Sequence, residues 1–116
     1  MNNERRKDLK EVLATLQQFV DGKVPEAEAF ETLSEVKSEL GNCLFDEKES
    51  RDNLMEFIPS GPKVDKADKS VFALEDADEE LKMVLHHLDI KDAEYQDLIN
   101  VYIKSAIENI KKAIGK

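Results

Sequence analysis

Apolar residues recur at spacings of three and four between positions 64 and 88, and this stripe constrains the fold more than any other feature. Its members are Val64, Ala67, Val71, Leu74, Ala77, Leu81, Leu85 and Leu88. This spacing places all of them on one face of a helix of about seven turns. Because so long an apolar face must be covered, we predict that at least one further helix packs along it.

A strong turn signal stands just before the stripe. Residues 58–62 read IPSGP, and their prolines and glycine can neither continue a helix nor pair in a sheet. A second helical pattern precedes the turn and comprises Phe30, Leu33, Val36, Leu40, Cys43, Leu44, Leu54, Met55 and Ile58. We therefore predict an antiparallel helical hairpin, with helices over about 25–58 and 65–88 and a turn at 59–63. Asp65 and Asp68 are expected in the first turn of the returning helix, near its free backbone N–H groups.

Two features weaken the first arm of this hairpin. Gly41 is a potential break, and residues 46–53 contain no apolar side chain, so that Glu47 and Arg51 fall on expected core positions. No proline interrupts the segment, and Glu, Lys and Arg favour helices, so we predict one long helix. Two helices joined near Gly41 are the alternative. The polar segment also predicts looser packing at this end of the hairpin.

Two outer helices are predicted over about 3–21 and 92–114. The buried face of the first comprises Leu9, Val12, Leu13, Leu16, Phe19 and Val20, and Gly22 closes it. Its basic start at residues 5–7 opposes the helix dipole, which favours a frayed, solvated end over contact with an acidic surface. Asp89 or Asp92 is expected to cap the last helix. The chain is thus predicted to form a single all-α domain over 1–116, similar to a four-helix bundle.

The last helix is the most apolar segment of the chain. Apolar and aromatic residues occupy more than one of its faces, including Tyr95, Leu98, Ile99, Tyr102, Ile103, Ile107 and Ile110. A helix of this kind is usually buried on more than one side. Two arrangements satisfy the pattern: a central position within the bundle, or a homodimer interface.

Charge and cysteine content restrict the class of partner and the compartment. The 116 residues include 17 basic and 26 acidic side chains, a net charge of −9 that disfavours nucleic acid and anionic membranes and favours basic partners. The aromatic residues are expected mostly at core positions, which also argues against nucleic-acid binding. Cys43 is the single cysteine, so an internal disulfide is excluded, and we expect a small core residue in a cytoplasmic protein. The sequence contains no stretch of transmembrane length.

The sequence lacks a recognisable catalytic, metal or cofactor motif. His86 and His87 are adjacent on a helix and point about 100° apart, so they cannot share a metal and are expected to be solvated. The carboxylate clusters lack the glycine of a calcium loop, and the sequence shows no phosphate-binding loop, serine elbow or Cys-His pairing. We therefore expect a non-enzymatic protein without cofactor or metal.

Acidic patterning on the hairpin is the remaining candidate for a binding site. The carboxylates are Asp46, Glu47 and Glu49 on the first arm, and Glu75, Asp76, Asp78, Glu79 and Glu80 on the second. The antiparallel register brings the two groups near each other and gives the hairpin a negative side. A protein with a basic groove could recognise such a side, whereas a merely solvated face is the alternative.

Two segments of the hairpin resemble small acidic helical proteins of bacteriophages and prophages. Residues 52–58 read DNLMEFI and residues 68–77 read DKSVFALEDA, followed by Leu81. In the phage group an Asp-Asn-Leu-Pro-Glu-like segment ends one helix, and a helix with a Val/Ile-x-x-Leu-Glu-x-Ala pattern returns after a linker. Met55 replaces the usual proline and Pro59 replaces a polar residue, which predicts a break about four residues later. The last helix lies outside the resemblance, which implies a hairpin and a phage setting but no activity.

Together these features predict a non-enzymatic phage-type protein that binds a host protein. The expected role is inhibition of a host defence or nucleic-acid-processing protein by occupation of its basic surface, within the bacterial cytoplasm. The alternative is a structural or assembly module that forms homo-oligomers through its last helix.

Overall fold

A computed structural model describes residues 1–58 and 60–115, while Pro59 and Lys116 lie outside its described part. Its helices are α1 (Asn3–Val20), α2 (Glu26–Phe57), α3 (Pro62–Ile90) and α4, which runs through Tyr95–Leu98, Ile99–Ile103 and Lys104–Ile114. Helices α1 and α3 each pack against both α2 and α4. The predicted all-α, four-helix architecture is confirmed, and none of the described helices is long and apolar enough to cross a membrane.

Helix α1 forms as its sequence pattern predicts. The Asn2 side chain accepts a hydrogen bond of 2.8 Å from the Arg5 backbone N–H and so caps the first turn. Gly22 follows the helix with a φ of 75°, a left-handed conformation that glycine adopts without strain. The expected frayed start is wrong, because the Arg5 side chain donates to Glu47 on α2 at 2.8 Å.

Helix α2 continues unbroken through Gly41 for 32 residues, as the prediction of one long helix required. A Cβ atom added at Gly41 would meet no atom within 4 Å, so packing does not demand glycine there. The two polar residues on core positions are paired with charged side chains. Glu47 binds Arg5, and Arg51 lies 3.4 Å from Asp68 of α3.

Helix α3 begins at Pro62, three residues before the predicted start. Proline suits the first helical position because its missing N–H would have no partner there. Gly61, with a φ of 127°, precedes it, and Pro59 of the predicted turn lies outside the described residues. Asp65 lies in the first turn, as predicted, although no side-chain hydrogen bond caps the helix. The placement of Asp68 in that turn is wrong, because Asp68 lies further along and pairs with Arg51.

Helix α4 contains a π-helical turn at Ile99–Ile103. Its i to i+5 hydrogen bonds add a residue to the turn, so Leu98 and Ile103, five positions apart, share the buried face. This shift in phase is one reason that the apolar residues of α4 spread over more than one face in a regular helical projection. The predicted cap is wrong: Glu94 precedes the helix without a side-chain cap, and Asp92 instead contacts His87 at 2.7 Å.

One apolar core joins all four helices, but it does not extend along the whole hairpin. Its members on the hairpin run from Ala29 to Leu44 on α2 and from Val71 to Val84 on α3. Both arms continue beyond this core, α2 over residues 48–57 and α3 over residues 62–69. At about 1.5 Å per residue, the longer of the two segments measures about 15 Å. We call these two segments the distal hairpin. Val64 is its one buried apolar side chain among the described residues, consistent with the predicted looser packing.

Candidate binding surface

Ion pairs join the two arms of the hairpin, one of them between its two acidic segments. Lys48 on α2 lies 3.3 Å from Glu75 on α3, and Lys37 lies 3.3 Å from Asp78. Both pairs connect the nitrogen of one arm to a carboxylate of the other. Lysines therefore neutralise part of the negative side that the sequence predicts.

The predicted acidic residues divide into an internally engaged group and a free group. Glu47 is buried, with 3% exposure, against Arg5, and Glu80 accepts a hydrogen bond of 2.7 Å from Asn109 of α4. Together with Glu75 and Asp78, these carboxylates form contacts between the helices of the fold. The exposed members of the set are Asp46, Glu49, Asp76 and Glu79. Within the described residues these four carboxylates form no hydrogen bond or ion pair, so a partner can bind them without breaking an internal contact.

Exposed aromatic side chains adjoin the free carboxylates. Phe45 is 66% exposed on α2 and Phe72 is 56% exposed on α3. Each stands one helical turn before a free carboxylate, Glu49 and Asp76 respectively. Aromatic side chains of this kind supply much of the energy at protein interfaces when a partner buries them.

The expectation that the aromatic residues lie mostly in the core is wrong for phenylalanine. Phe19 is buried, whereas Phe30, Phe45, Phe57 and Phe72 are exposed. Phe30 also belongs to the apolar pattern that predicted α2, and it lies at the rim of a cavity rather than in the core. The sequence carries no direct signal for the exposure of these phenylalanines, because their exposure depends on which faces of α2 and α3 pack against α1 and α4.

The tip of the distal hairpin is apolar as well. Met55, Phe57 and Ile58 are exposed, Phe57 to 83%, and the carboxylates of Asp52 and Glu56 are exposed on the same segment. Met55 and Ile58 were predicted as part of the buried stripe of α2. They lie beyond the end of α1 and α4, where the described residues provide no core to cover them.

Most of the α4 residues predicted for an oligomer interface lie inside the bundle. Leu98, Ile99, Ile103, Ile107 and Ile110 are buried in the core of the same chain. The two tyrosines are half-buried. Of the apolar α4 residues, Val101 on the π-helical turn is the largely exposed one in the described part of the chain. A homodimer through α4 stays a prediction, which light scattering tests.

The two tyrosines and His87 form contacts between elements at the end of the bundle opposite the distal hairpin. The Tyr95 hydroxyl donates to the Val24 carbonyl at 3.0 Å, and burial, with the charge of Glu26, raises the pKa of Tyr95 to about 12. His87 is half-buried, stacks on Tyr102 with ring centroids 5.8 Å apart, and contacts Asp92. His86 is exposed, as predicted, whereas His87 is a structural residue that joins α3 to the following turn.

Cys43 is a buried core residue, as predicted. Burial, followed by the charge of Asp8, raises the pKa of the Cys43 thiol to about 11, so it stays protonated at neutral pH. Nearby, carboxylate oxygens of Asp8, Glu11 and Glu39 lie within 4.8 Å of one another. Burial, then Glu11 and Asp8, raises the pKa of Glu39. These three carboxylates are one local example of the negative charge that predominates in the chain.

Comparison of the chain with protein-family models, with curated proteins and with solved structures finds no match.

Proposed function

We propose that this chain is a non-enzymatic binding protein whose α2–α3 hairpin docks on a basic surface of another protein. The observation that carries the proposal is the combination of exposed phenylalanines with carboxylates that no internal contact uses. Phe45 with Glu49 and Phe72 with Asp76 have this arrangement on the two arms. Apolar contact supplies affinity at such a surface, and charge supplies orientation and rate.

The shape of the hairpin also favours docking. The tip of the distal hairpin lies outside the apolar core that joins the four helices, so it is open to a partner. Its tip exposes Met55, Phe57 and Ile58 beside acidic residues. Contiguous exposed apolar residues with a polar rim are typical of protein interaction sites.

The class of partner follows from charge and from the resemblance to phage proteins. A net charge of −9 favours a basic surface, and a surface that ordinarily holds nucleic acid has this property. The phage resemblance favours a bacterial host protein of defence or nucleic-acid processing, in the cytoplasm. Inhibition by occupation of that surface is the function we propose.

Charge reversal at the free carboxylates tests this proposal. The variant Asp76→Lys with Glu79→Lys changes two exposed residues, and the control Glu31→Lys with Glu35→Lys changes charge by the same amount elsewhere on the hairpin. We expect quantitative capture from bacterial lysate to lose a specific partner at least tenfold with the first variant and to keep it with the control. Raising salt to about 1 M, where the screening length is about 3 Å, should weaken capture.

Circular dichroism on each variant verifies that the helical content is unchanged. Glu75 and Glu80 are left intact because their reversal would break contacts to Lys48 and Asn109. A set of captured proteins that is the same for the wild type and both variants would contradict the proposal. Phe45→Ala with Phe72→Ala provides an independent test, since it removes the apolar component without a change in charge.

A further inference from the structure

A cavity of about 200 Å³ lies where the end of α4 meets α3 and the start of α1. Four cationic side chains from these three helices line it: Arg6, Lys66, Lys69 and Lys112. The other lining residues are Met1, Ser70, Ala113, Ile114 and Gly115, so no described lining residue carries a side-chain carboxylate. We call this site the basic cavity. It concentrates positive charge in a chain whose net charge is −9.

The cations of the basic cavity form no ion pair within the described part of the chain. Within residues 1–58 and 60–115, no carboxylate lies within 4.0 Å of the charged nitrogens of these four side chains. Elsewhere on the same helices, Arg5 and Lys111 do have such partners. The basic cavity therefore differs from the remaining surface, where carboxylates outnumber cations.

A buried donor in the same place lacks an acceptor. Arg6 Nε is shielded from solvent and has no hydrogen-bond partner among the described residues. A buried donor without an acceptor costs about 1–3 kcal/mol in general, so such groups usually bind water, an ion or a ligand. An anion in the basic cavity would balance the charges of the lysines and of the Arg6 guanidinium.

The dipole of α4 does not account for the arrangement. Cations near a helix C-terminus are favourable, which explains Lys112 on the last turn. The carbonyls there already accept from other groups: the Gly115 N–H donates to Lys111 and Lys112, and the Ser70 hydroxyl donates to Ala113 at 3.3 Å. Arg6, Lys66 and Lys69 come from other helices and need a separate explanation.

We propose that the basic cavity binds a small tetrahedral oxyanion: free phosphate or the phosphoryl group of a small phosphomonoester. Guanidinium and ammonium groups together suit phosphate, because arginine offers a planar fork and lysine a mobile point charge. The volume of about 200 Å³ is below the roughly 300–1,000 Å³ of pockets for drug-sized ligands, so the site takes one anionic group and not a whole nucleotide. A phosphate group carries nearly two negative charges at neutral pH.

Anion binding here would link three helices at the root of the distal hairpin. Lys66 and Lys69 belong to its returning arm, Arg6 to α1 and Lys112 to α4. An anion that contacts all three helices therefore stabilises an arm that has few buried contacts of its own. This inference names a different ligand from the hairpin docking proposed above, and the two sites adjoin, because Lys69 and Lys112 also line the cavity beside Phe72 and Asp76.

Thermal unfolding with inorganic phosphate tests the site, with sodium chloride at matched ionic strength as reference. We expect phosphate at about ten times its Kd to raise the unfolding midpoint by about 5 °C more than chloride does. The variant Lys66→Gln with Lys69→Gln should abolish this difference. The control Lys7→Gln with Lys10→Gln removes the same charge from exposed positions of α1 and should keep it.

Titration by ³¹P NMR measures binding directly and does not depend on thermal stability. Lys112→Gln gives a second variant on another helix, with at least a tenfold loss of affinity expected. Glycerol 3-phosphate that binds as well as phosphate would support a phosphomonoester ligand, and binding of phosphate alone would support the free ion. The proposal is overturned if phosphate stabilises no more than chloride, if acetate matches phosphate, or if Lys66→Gln with Lys69→Gln binds phosphate like the wild type.

Discussion

The two halves of the α2–α3 hairpin use the same helices but differ in what covers them. In the proximal half, the apolar stripes of both arms meet α1 and α4, and side chains such as Leu40 and Leu74 are completely buried. In the distal hairpin, α1 and α4 reach only the residues around the basic cavity, such as Lys66 and Lys69, and Val64 is the buried apolar residue of the described part. Helix continuity therefore does not require a continuous core.

Charge pairs replace apolar contacts where the core ends. Arg51 lies 3.4 Å from Asp68, and Lys48 lies 3.3 Å from Glu75. Partly exposed pairs of this kind contribute about 0–1 kcal/mol each, less than a buried leucine. The distal hairpin should therefore open locally at lower free energy than the bundle, which is common for segments that bind partners.

Truncation of one leucine in each half should reveal the largest difference in the free energy of unfolding between the two halves. Leu40→Ala removes a completely buried side chain from the proximal half of α2 and should lower the free energy of unfolding by about 3 kcal/mol. Leu54→Ala makes the same chemical change at a half-buried distal position and should cost less than about 1 kcal/mol. Urea unfolding measures both losses.

Two spectroscopic probes sharpen this test. Tyr95 and Tyr102 both lie on α4, which packs against the proximal half of the hairpin, so tyrosine fluorescence follows the unfolding of the bundle. Circular dichroism follows all helices. We expect the two signals to separate for Leu54→Ala, because its distal arms lose helix first. Equal losses from Leu40→Ala and Leu54→Ala would mean that the hairpin is one cooperative unit.

Removal of charge at the boundary between the halves should have an intermediate effect. Glu47→Gln keeps the size of a buried side chain but removes the carboxylate that accepts from Arg5 at 2.8 Å. Because Arg5 is then left largely desolvated, we expect a loss of about 2 kcal/mol, below the 3–5 kcal/mol of a completely buried pair. The control Glu49→Gln changes an exposed carboxylate two residues away and should cost under about 0.5 kcal/mol. Similar losses would show that the Arg5 contact does not stabilise the fold.

The helices themselves could be predicted from sequence because their signals are local. Apolar spacing, Gly22 and the 58–62 segment together located the helices within a few residues. The contact of Arg5 with Glu47 could not be predicted in this way, since it joins residues 42 positions apart. The pattern showed only that Glu47 stands on a core position, and the fold supplies the partner.

The candidate binding surface was predictable in part. Acidic residues at 75–80 were visible in the sequence, but their division into engaged and free carboxylates depends on which lysine or asparagine each one meets. Phe45 and Phe72 are exposed, although Phe72 lines a cavity with Asn109 and Lys112 of α4, and helical spacing alone does not show how much of a side chain a neighbouring helix covers. The cations of the basic cavity likewise come from three helices, and only tertiary packing places them together.

The smallest expected effect is a gain in stability from Gly41→Ala. Gly41 lies inside α2 with helical geometry and free space around the added Cβ, so alanine should raise the free energy of unfolding by about 0.5–1 kcal/mol. Asn53→Ala improves helix propensity by a similar amount at an exposed distal position. If the distal hairpin opens before the bundle, urea unfolding followed by tyrosine fluorescence will register the first gain and not the second. Gains of equal size in that signal would require both halves to unfold together.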